Sequence, residues 1–540
     1  MDYLAAVPSE LWTRIFESGS SADLRTLSLV CTRFCALSQP ILFRHIDVVL
    51  PETQFGTAEQ IRATCDEFIA RFTGIAESPT LGVLVQSLRY ADWLQQGNPM
   101  AMDEVTSFKR LVPRAFFPKL PLFVNIVTLT LWHVDIEMKV GMDVREAIDV
   151  LPRLRHLHIH RSRFPTGEVL PLESFTFSTH SEAGTFGKPL EIIDPHTIRK
   201  LVLHGADAVG VFLDALEGAE LPVLRHLALH ISSKHVGQAV ALLDRSPALE
   251  TLILDCLPLR GVSWNTLLGL PPARPPAPPA LTPHQEQLMA PFLATIPVQQ
   301  HELARQMMAT MFPPAQEPDA PRPSVPMDDI AEKFTPSDNS LPNLHTVECP
   351  YTLTGILLRG RAIETLVLFR SESEYEEETA LPAIEAAGVH APNLKTLRLS
   401  TPILVSQIAK VLTAIAEHLP NLRSLAFTLK DPSDVPTWAR HVRPEVLFSD
   451  LVERGKIALP AGHALQELVI CPRMERTREG FDRVSAVYEL LDLETQMKIV
   501  NTLGEREDGK ALRRIVFPER APSVGKMYAR DELNGEWVSK

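Results

Sequence analysis

The sequence predicts an α/β protein in which a small N-terminal helical unit precedes a long solenoid of parallel strands. Two observations predict this fold class. A short apolar phrase typical of a half-buried strand recurs through most of the chain, and helical stretches separate several of its copies. Strand–loop–helix units in tandem stack their strands in parallel. The N-terminal residues 7–46 differ, because their apolar residues follow a helical spacing.

The helical unit is expected to begin at Pro8, whose fixed φ and missing N–H suit the first position of a helix. Leu11 and Ile15 are four residues apart, as are Trp12 and Phe16, so the first helix has a broad apolar face. A helix this short buries little surface by itself. Its apolar face must dock on the rest of the chain or on a partner, and the pattern favours these two alternatives equally.

A second helical run is expected after Gly19, which is a typical C-terminal stop. Ser20 and Asp23 resemble a capping box, with Asp in the place of the usual Glu or Gln. Apolar residues continue at helical spacing over 24–37, and Pro40 is expected to end the run.

The segment resembles an F-box, and its closing residues 39–44 resemble the F-boxes of fungal, basidiomycete-type proteins. Val7 stands where Leu commonly precedes the proline and keeps the apolar contact. The residues that match in order and spacing are Pro8, Glu10-Leu11, Ile15-Phe16, Asp23-Leu24, Leu27, Leu29-Val30-Cys31 and Phe34.

This resemblance implies a three-helix F-box over residues 1–48. It also implies binding to a Skp-type adaptor, which would attach the chain to a cullin-RING ubiquitin ligase. The residues expected to contact the adaptor are Val7, Pro8, Leu11, Ile15, Phe16, Leu24, Leu27, Val30, Cys31 and Phe34.

The recurring phrase consists of two apolar residues three apart and a third two residues later. Its period-2 ending predicts a short strand with one buried face. Several copies follow a Leu-Pro introduction, as at Leu151-Pro152 and Leu221-Pro222, and at Leu341-Pro342-Asn343 and Leu419-Pro420-Asn421 it continues with asparagine. The copies are Val85-Leu88-Tyr90, Ile126-Leu129-Leu131, Leu154-Leu157-Ile159, Ile198-Leu201-Leu203, Leu224-Leu227-Leu229, Leu249-Leu252-Leu254, Leu344-Val347-Cys349, Ile363-Leu366-Leu368, Leu394-Leu397-Leu399, Leu422-Leu425-Phe427, Leu465-Leu468-Ile470 and Leu512-Ile515-Phe517.

The phrase resembles the L-x-x-L-x-L core of leucine-rich repeats. Its copies are unevenly spaced, by about 20 to 45 residues, and the consensus asparagine is mostly missing, with Asp255-Cys256 coming nearest. Helices are expected between copies at 206–216, 235–243 and 405–418. We therefore expect an irregular leucine-rich-repeat-like solenoid, like those that follow F-boxes in fungal proteins. The alternative is an irregular α/β domain with a few βαβ units.

The solenoid is expected to divide into an N-terminal part, 49–257, and a C-terminal part, 341–520, with a tail at 521–540. The intervening segment 258–340 carries no copy of the phrase, and its proline run at 271–279 suits neither a strand nor a helix interior. We expect a partly flexible surface insertion that contains a helix over 283–311. A spacer is favoured over a proline-recognition site, and the acidic segment 371–379 is favoured as a solvated loop over a regulatory site.

Composition excludes several functional classes. The net charge of −13 argues against a nucleic-acid partner. No apolar run reaches the roughly 20 residues of a membrane span, and the N-terminus lacks the basic region of a signal peptide. Six scattered cysteines match neither a zinc site nor a disulfide framework, so reduced thiols in a cytoplasmic or nuclear protein are expected.

Enzyme motifs are absent from the sequence: it has no phosphate-binding loop, nucleophile elbow or H-E-x-x-H. His156, His158 and His160 would project from one face of a strand, as metal ligands can. A concave, solvated or partner-binding face is favoured, with no metal and no cofactor. The residues expected on this substrate-binding face are Thr130, Trp132, His156, His158, His160, Lys200, His204, His226 and His230.

The chain is therefore expected to be a non-enzymatic substrate-recognition subunit of an SCF-type cullin-RING ubiquitin ligase. Its partners would be a Skp-type adaptor and an unidentified protein substrate, with neither nucleic acid nor membrane involved. The alternative is an interaction scaffold unconnected with a ligase. A hydrolase or transferase on an irregular α/β body is the least favoured class, because no motif supports it.

Overall fold

We describe the fold from a computed structural model of the chain. Most of the proline-rich insertion and the acidic segment 371–379 lie outside the described residues, so the expectations for them stay predictions. The described residues are 7–49, 58–91, 108–132, 134, 144–160, 169–178, 192–231, 235–256, 333–337, 340–369, 380–430, 448–457, 459, 464–471, 473–476, 482–485, 490, 492–506, 509–517, 526–530 and 537–539.

The N-terminal residues form three short helices, α1 (Ser9–Glu17), α2 (Ser21–Ser28) and α3 (Thr32–Leu42), which we call the head. The capping box is confirmed. The Asp23 amide donates to the Ser20 hydroxyl at 3.2 Å, and the Ser20 amide donates to the Asp23 carboxylate at 3.0 Å. Extended backbone at Cys31 separates α2 from α3 and breaks the continuous helical run that the spacing suggested.

The expectation that Pro40 ends the helix is wrong, because α3 continues to Leu42. Pro40 lies in the last turn, where its ring removes one backbone donor and its fixed φ is still helical. The next bond of the ladder remains, since the Phe43 amide donates to the Gln39 carbonyl at 3.0 Å.

Phe16, Leu24 and Phe34 form a core inside the head that is separate from the core of the body. The Phe16 and Phe34 rings meet edge to face with centroids 5.1 Å apart, and Trp12 lies 5.1 Å from Phe34. Aromatic pairs in such geometries contribute beyond the area that they bury. The head is therefore held together by its own aromatic cluster.

Within the described residues, the body is built on one sheet of 16 strands whose spatial order follows their order along the chain. Every pairing from β1 to β13, and from β13 to β16, is parallel. The strands are β1 His45–Val48, β2 Ser87–Ala91, β3 Thr128–Trp132, β4 His156–His160, β5 Ser174–Ser178, β6 Lys200–His204, β7 His226–Ile231, β8 Thr251–Cys256, β9 Thr346–Pro350, β10 Thr365–Phe369, β11 Thr396–Leu404, β12 Ser424–Lys430, β13 Glu467–Cys471 and β16 Arg514–Phe517. Each of the twelve sequence phrases ends in one of these strands.

Two parallel strands, β1 and β5, were not predicted. Both nevertheless follow the phrase, with phenylalanine at one or more of its apolar positions, as in Leu172-Phe175-Phe177. In β5, Phe175 pairs in register with Leu157 and Phe177 with Ile159. Because β1 belongs to the sheet, the boundary expected after residue 48 falls inside the body instead of at its start.

Helices connect many of the strands. The Phe212 ring of α7 packs on β5 with its centroid 5.2 Å from that of Phe175, and Ile408, Leu412 and Ile415 of α11 are buried. The body helices are α4 Ala58–Glu77, α5 Leu111–Phe116, α6 Val144–Asp149, α7 Ala206–Ala215, α8 Val236–Asp244, α9 Thr354–Leu358, α10 Leu381–His390, α11 Val405–His418, α12 Phe448–Glu453 and α13 Leu493–Glu505. Short 3₁₀ turns span Gly82–Leu84, Phe117–Leu122 and Tyr351–Leu353.

The asparagine of the Leu-Pro-Asn introduction joins neighbouring repeats. The Asn343 side chain donates to the Pro247 carbonyl at 3.1 Å, and that of Asn421 donates to the Pro392 carbonyl at 3.3 Å. Each bond satisfies a turn carbonyl of the preceding repeat, which secondary structure leaves without a partner.

The sheet is continuous between the strands on either side of the insertion. β8 and β9 flank the insertion in sequence yet pair in parallel, with Thr251 opposite Thr346. Near the end of the insertion, Phe334 is fully buried in the body core. Arg361, 7% exposed, donates to the carbonyls of Ser337 at 3.0 Å and Leu357 at 3.0 Å, so it ties the returning chain to the end of α9.

The segment 521–540, expected as a tail, instead adds two strands to the sheet. β17 (Lys526–Arg530) pairs antiparallel with β16, and β18 (Trp537–Ser539) pairs antiparallel with β17. The buried Tyr528 hydroxyl donates to the Gln496 side chain at 2.8 Å. A separate antiparallel pair, β14 (Arg473–Arg476) with β15 (Asp482–Ser485), completes the described strands.

Deleting residues 271–326 and joining the ends with a short Gly/Ser linker should leave the midpoint of thermal unfolding nearly unchanged. The reason is that β8 already pairs with β9 and the deletion spares Phe334. By contrast, Phe334→Ala should lower the free energy of unfolding by about 3–5 kcal/mol, because it empties a core position. Insoluble deletion protein would show that the segment packs into the core.

Tyr528→Phe should lower the free energy of unfolding by about 1–3 kcal/mol, because it leaves the buried Gln496 carbonyl oxygen without its donor. Val538→Ala, at a 42% exposed position of β18, is the matched control and should change that free energy by less than about 0.5 kcal/mol. Equal effects in chemical denaturation would contradict the assignment of the C-terminal strands to the body.

Candidate functional sites

The first candidate site is a set of exposed aliphatic side chains on the head. Leu11 is 50% exposed, Ile15 53%, Leu29 86% and Val30 61%. Leu11 and Ile15 lie one turn apart on α1, while Leu29 and Val30 follow the end of α2. We call these four residues the head surface. Four large aliphatic side chains left exposed on so small a unit suit a covered interface better than solvent.

The other residues expected to contact the adaptor lie below or beside this surface. Phe16, Leu24 and Phe34 are buried in the head core, so they support the surface and do not form it. Leu27 and Cys31 are partly buried against the same core. Pro8 is exposed, and Val7 is half-buried, with its carbonyl accepting from the Arg33 guanidinium at 3.2 Å. Leu29, which the adaptor set omitted, is the most exposed of the large apolar residues of the head.

The second candidate site is the outward face of β3 to β7, which we call the histidine patch. It contains all nine residues expected for substrate binding. The register places Thr130 opposite His158 and Trp132 opposite His160. His156, His158 and His160 are half-buried, whereas the core-facing Leu157 and Ile159 are fully buried. The predicted alternation of faces is therefore confirmed for this strand.

A stack of three side chains organises one end of the histidine patch. The Trp132 and His160 rings lie with centroids 4.4 Å apart and planes inclined by 29°. The Arg89 guanidinium of β2 lies 5.6 Å from the centre of the Trp132 ring, within the range of a cation–π contact. Arg89 is not among the site residues predicted from the sequence, although it lies between Leu88 and Tyr90, the last two apolar residues of a recognised phrase.

The unpredicted strand β5 divides the patch and supplies hydroxyl partners to its histidines. His158 Nδ1 lies 2.9 Å from the Thr176 hydroxyl, and His160 Nδ1 lies 3.2 Å from the Ser178 hydroxyl. Ser178 pairs in register with both His160 and His204. The histidines of β4 and β6 are therefore separated by a strand of small polar residues.

The far side of the patch is more open. Lys200 and His204 are exposed on β6, while His226 and His230 are half-buried on β7. His230 Nδ1 accepts from the Gly205 amide at 3.3 Å, which places its ring proton on Nε2 in the neutral form. Gly205 needs its positive φ of 100° for the turn into α7, so His230 also stabilises that turn.

The electrostatic environment disfavours protonation of two histidines. Burial lowers the pKa of His158 below its ordinary 6.5, and the positive charges of His156 and Lys200 lower it further. Burial and Lys200 likewise lower the pKa of His226. Both rings therefore favour the neutral state at physiological pH, in which one nitrogen donates and the other accepts.

Among the residues that the structure describes, no group of three or more His, Cys, Asp or Glu side chains is placed to hold a metal ion. No helix within the described ranges is both long and apolar enough to cross a membrane. Comparison of the chain with protein-family models and with curated proteins gives no match.

The double variant His158→Gln/His226→Gln should lose less stability than the wild type when the pH is lowered. Because the folded-state pKa values lie below the unfolded value of 6.5, the unfolded chain takes up protons first. The stability contribution is thus present above 6.5 and is lost as the pH falls through the folded pKa values. Thermal unfolding at about pH 7.5 and about pH 5.5 measures the slope.

The control for this experiment is His196→Gln, which removes an exposed histidine away from the patch. If the double variant and His196→Gln showed the same dependence of the unfolding midpoint on pH, the two patch histidines would not be the source of the effect.

Proposed function

We propose that this chain is a non-catalytic substrate receptor of an SCF-type cullin-RING ubiquitin ligase. The head binds a Skp-type adaptor through the head surface, and the body holds a protein target on the outward face of its sheet. The proposed compartment is the cytoplasm or nucleus. The F-box resemblance of residues 7–44 and the exposure of the head surface support this proposal.

The observation that carries the proposal is the division of the apolar head residues into two groups. The head already has an aromatic core, so the exposed Leu11, Ile15, Leu29 and Val30 are not needed to fill it. Covering apolar surface yields about 25 cal/mol per Å². A partner helix or groove that covered these four side chains would gain this free energy without any rearrangement of the head core.

The mechanism of such a receptor is proximity. A target bound to the sheet face is held at high effective concentration near a ubiquitin-carrying enzyme that other subunits recruit. Catalytic residues are therefore not required in this chain. Cys65 fits a non-reactive role, since burial raises the pKa of its thiol to about 11.

An interaction scaffold unconnected with a ligase is the second candidate. The extended sheet face favours it, because that face can hold a partner whether or not the head binds an adaptor. The two candidates differ in one measurable property, which is co-purification of a Skp-type adaptor that depends on the head surface.

Leu11→Asp and Ile15→Asp should each reduce adaptor co-purification at least tenfold, because a charge placed in a dry interface costs several kcal/mol. Both side chains are about half exposed, so the substitutions should leave the thermal unfolding midpoint unchanged. Val389→Asp, at a 68% exposed position of α10, is the matched control and should retain the adaptor.

Undiminished adaptor recovery by the double variant Leu11→Asp/Ile15→Asp would eliminate the head surface as the adaptor site. Absence of any Skp-type adaptor from the purified wild-type complex would favour the scaffold.

A further inference from the structure

The outward face of the N-terminal half of the sheet has an unusual charge. The six consecutive strands from β2 to β7 contain no aspartate and no glutamate, although the whole chain has a net charge of −13. They carry the fixed positive charges of Arg89 and Lys200, together with six histidines. We call this face of β2 to β7 the basic face. Its composition favours a negatively charged occupant.

Carboxylates border these strands. Asp47 of β1 lies in register opposite Arg89, and two others form ion pairs near the starts of the strands. Just before β4 and β5, Arg155 and Glu173 form an ion pair at 4.0 Å, and Arg225 and Glu250 form one at 3.3 Å near β7 and β8. These pairs leave the adjoining strand edge without an excess of negative charge.

The C-terminal half of the sheet carries charges of both signs. In the C-terminal half, Glu348 of β9 and Glu467 of β13 occupy outward positions, and β11 carries Arg398. Arg398 is the third residue of its strand, as Arg89 is the third residue of β2. Substitution of Arg398 therefore serves as a control, within the same sheet, for substitutions on the basic face.

Arg89 is oriented for recognition by the side chains beneath it. Its guanidinium lies over Trp132, which is stacked on His160. A stacked guanidinium keeps its N–H edge for a bidentate pair with a carboxylate and loses less conformational freedom on binding. His158 lies two strands from Arg89 in the same register, and its contact with the Thr176 hydroxyl positions it as a further hydrogen-bonding group.

The separation of the fixed charges indicates the shape of the occupant. Arg89 and Lys200 lie on β2 and β6, four strand spacings apart, which is about 19 Å at roughly 4.8 Å per spacing. A single phosphate cannot reach both positions. An extended peptide covers that distance with about six residues, because each residue adds about 3.3 Å.

We propose that the basic face binds an extended, carboxylate-rich peptide segment that runs across strands β2 to β7. The Arg89 guanidinium pairs with one carboxylate and the Lys200 ammonium with another, while the histidines between them hydrogen-bond to the peptide. This proposal rests on the proposed function only in making that segment part of the ligase target. Binding of the segment itself needs no adaptor.

The test is fluorescence anisotropy of the purified full chain with a fluorescein-labelled peptide of alternating glutamate and serine, about eight residues long. Binding should be saturable and should weaken as salt is added. The matching glutamine–serine peptide should bind at least tenfold more weakly. A glutamine–serine peptide with one phosphoserine should also bind more weakly than the glutamate peptide, since it reaches only one of the two charges.

Arg89→Gln and Lys200→Gln should each weaken binding of the glutamate peptide about tenfold, which is typical for the loss of one hydrogen-bonded charge. Arg398→Gln, the equivalent change in the C-terminal half, should leave the affinity unchanged. Arg89 and Lys200 are both exposed, so their substitutions should preserve folding. Thermal unfolding of each variant checks this directly.

The proposal is overturned if the glutamate peptide does not bind, if the glutamine peptide binds equally well, or if Arg89→Gln/Lys200→Gln binds like the wild type. Tighter binding of the single phosphoserine peptide would replace the carboxylate-rich segment with a phosphopeptide. Adaptor co-purification is measured on the same preparations. Loss of peptide binding with the adaptor retained would contradict this inference alone, and the reverse result would contradict the ligase assignment alone.

Discussion

The body depends on continuous backbone pairing between successive parallel strands. The carbonyl that precedes each strand accepts two amides from the next repeat. For example, the Arg44 carbonyl accepts from Gln86 at 3.0 Å and from Ser87 at 2.9 Å. The same pair of bonds recurs at Val127, and again at later steps along the sheet. Because each strand satisfies its neighbour's backbone groups, only the ends of the stack need another solution.

That requirement explains both ends of the sheet. At the start, β1 follows the head directly, so the last residues of the expected F-box also begin the body. At the finish, β17 and β18 turn back antiparallel, and Tyr528 packs edge to face against Phe517 with ring centroids 5.8 Å apart. The C-terminal residues therefore cap the stack and cover its last apolar side chains.

The same pairing decides what lies on the exposed face. Since side chains alternate along a strand, fixing the register by burial of Leu157 and Ile159 forces His156, His158 and His160 outward. Parallel pairing then places equivalent positions side by side, which stacks Trp132 on His160. Arg89, which lies opposite Thr130, reaches the Trp132 ring diagonally from the neighbouring repeat. The head is different, because its surface comes from residues left over after a local aromatic core is complete.

The sequence by itself determined the parallel strands that carry leucine-rich phrases, the burial of alternate residues and the Ser20–Asp23 cap. These features depend on periodicity or on contacts between near neighbours, which a sequence displays directly. The tertiary structure alone decided the inclusion of β1 and β5, the break at Cys31, the strands at the C-terminus and the placement of Arg89 over Trp132. Each of these features depends on contacts between segments that are distant in the sequence. A phenylalanine can take the place of leucine in a strand, and C-terminal residues can add strands, only where a neighbouring strand offers backbone groups and apolar contacts that match.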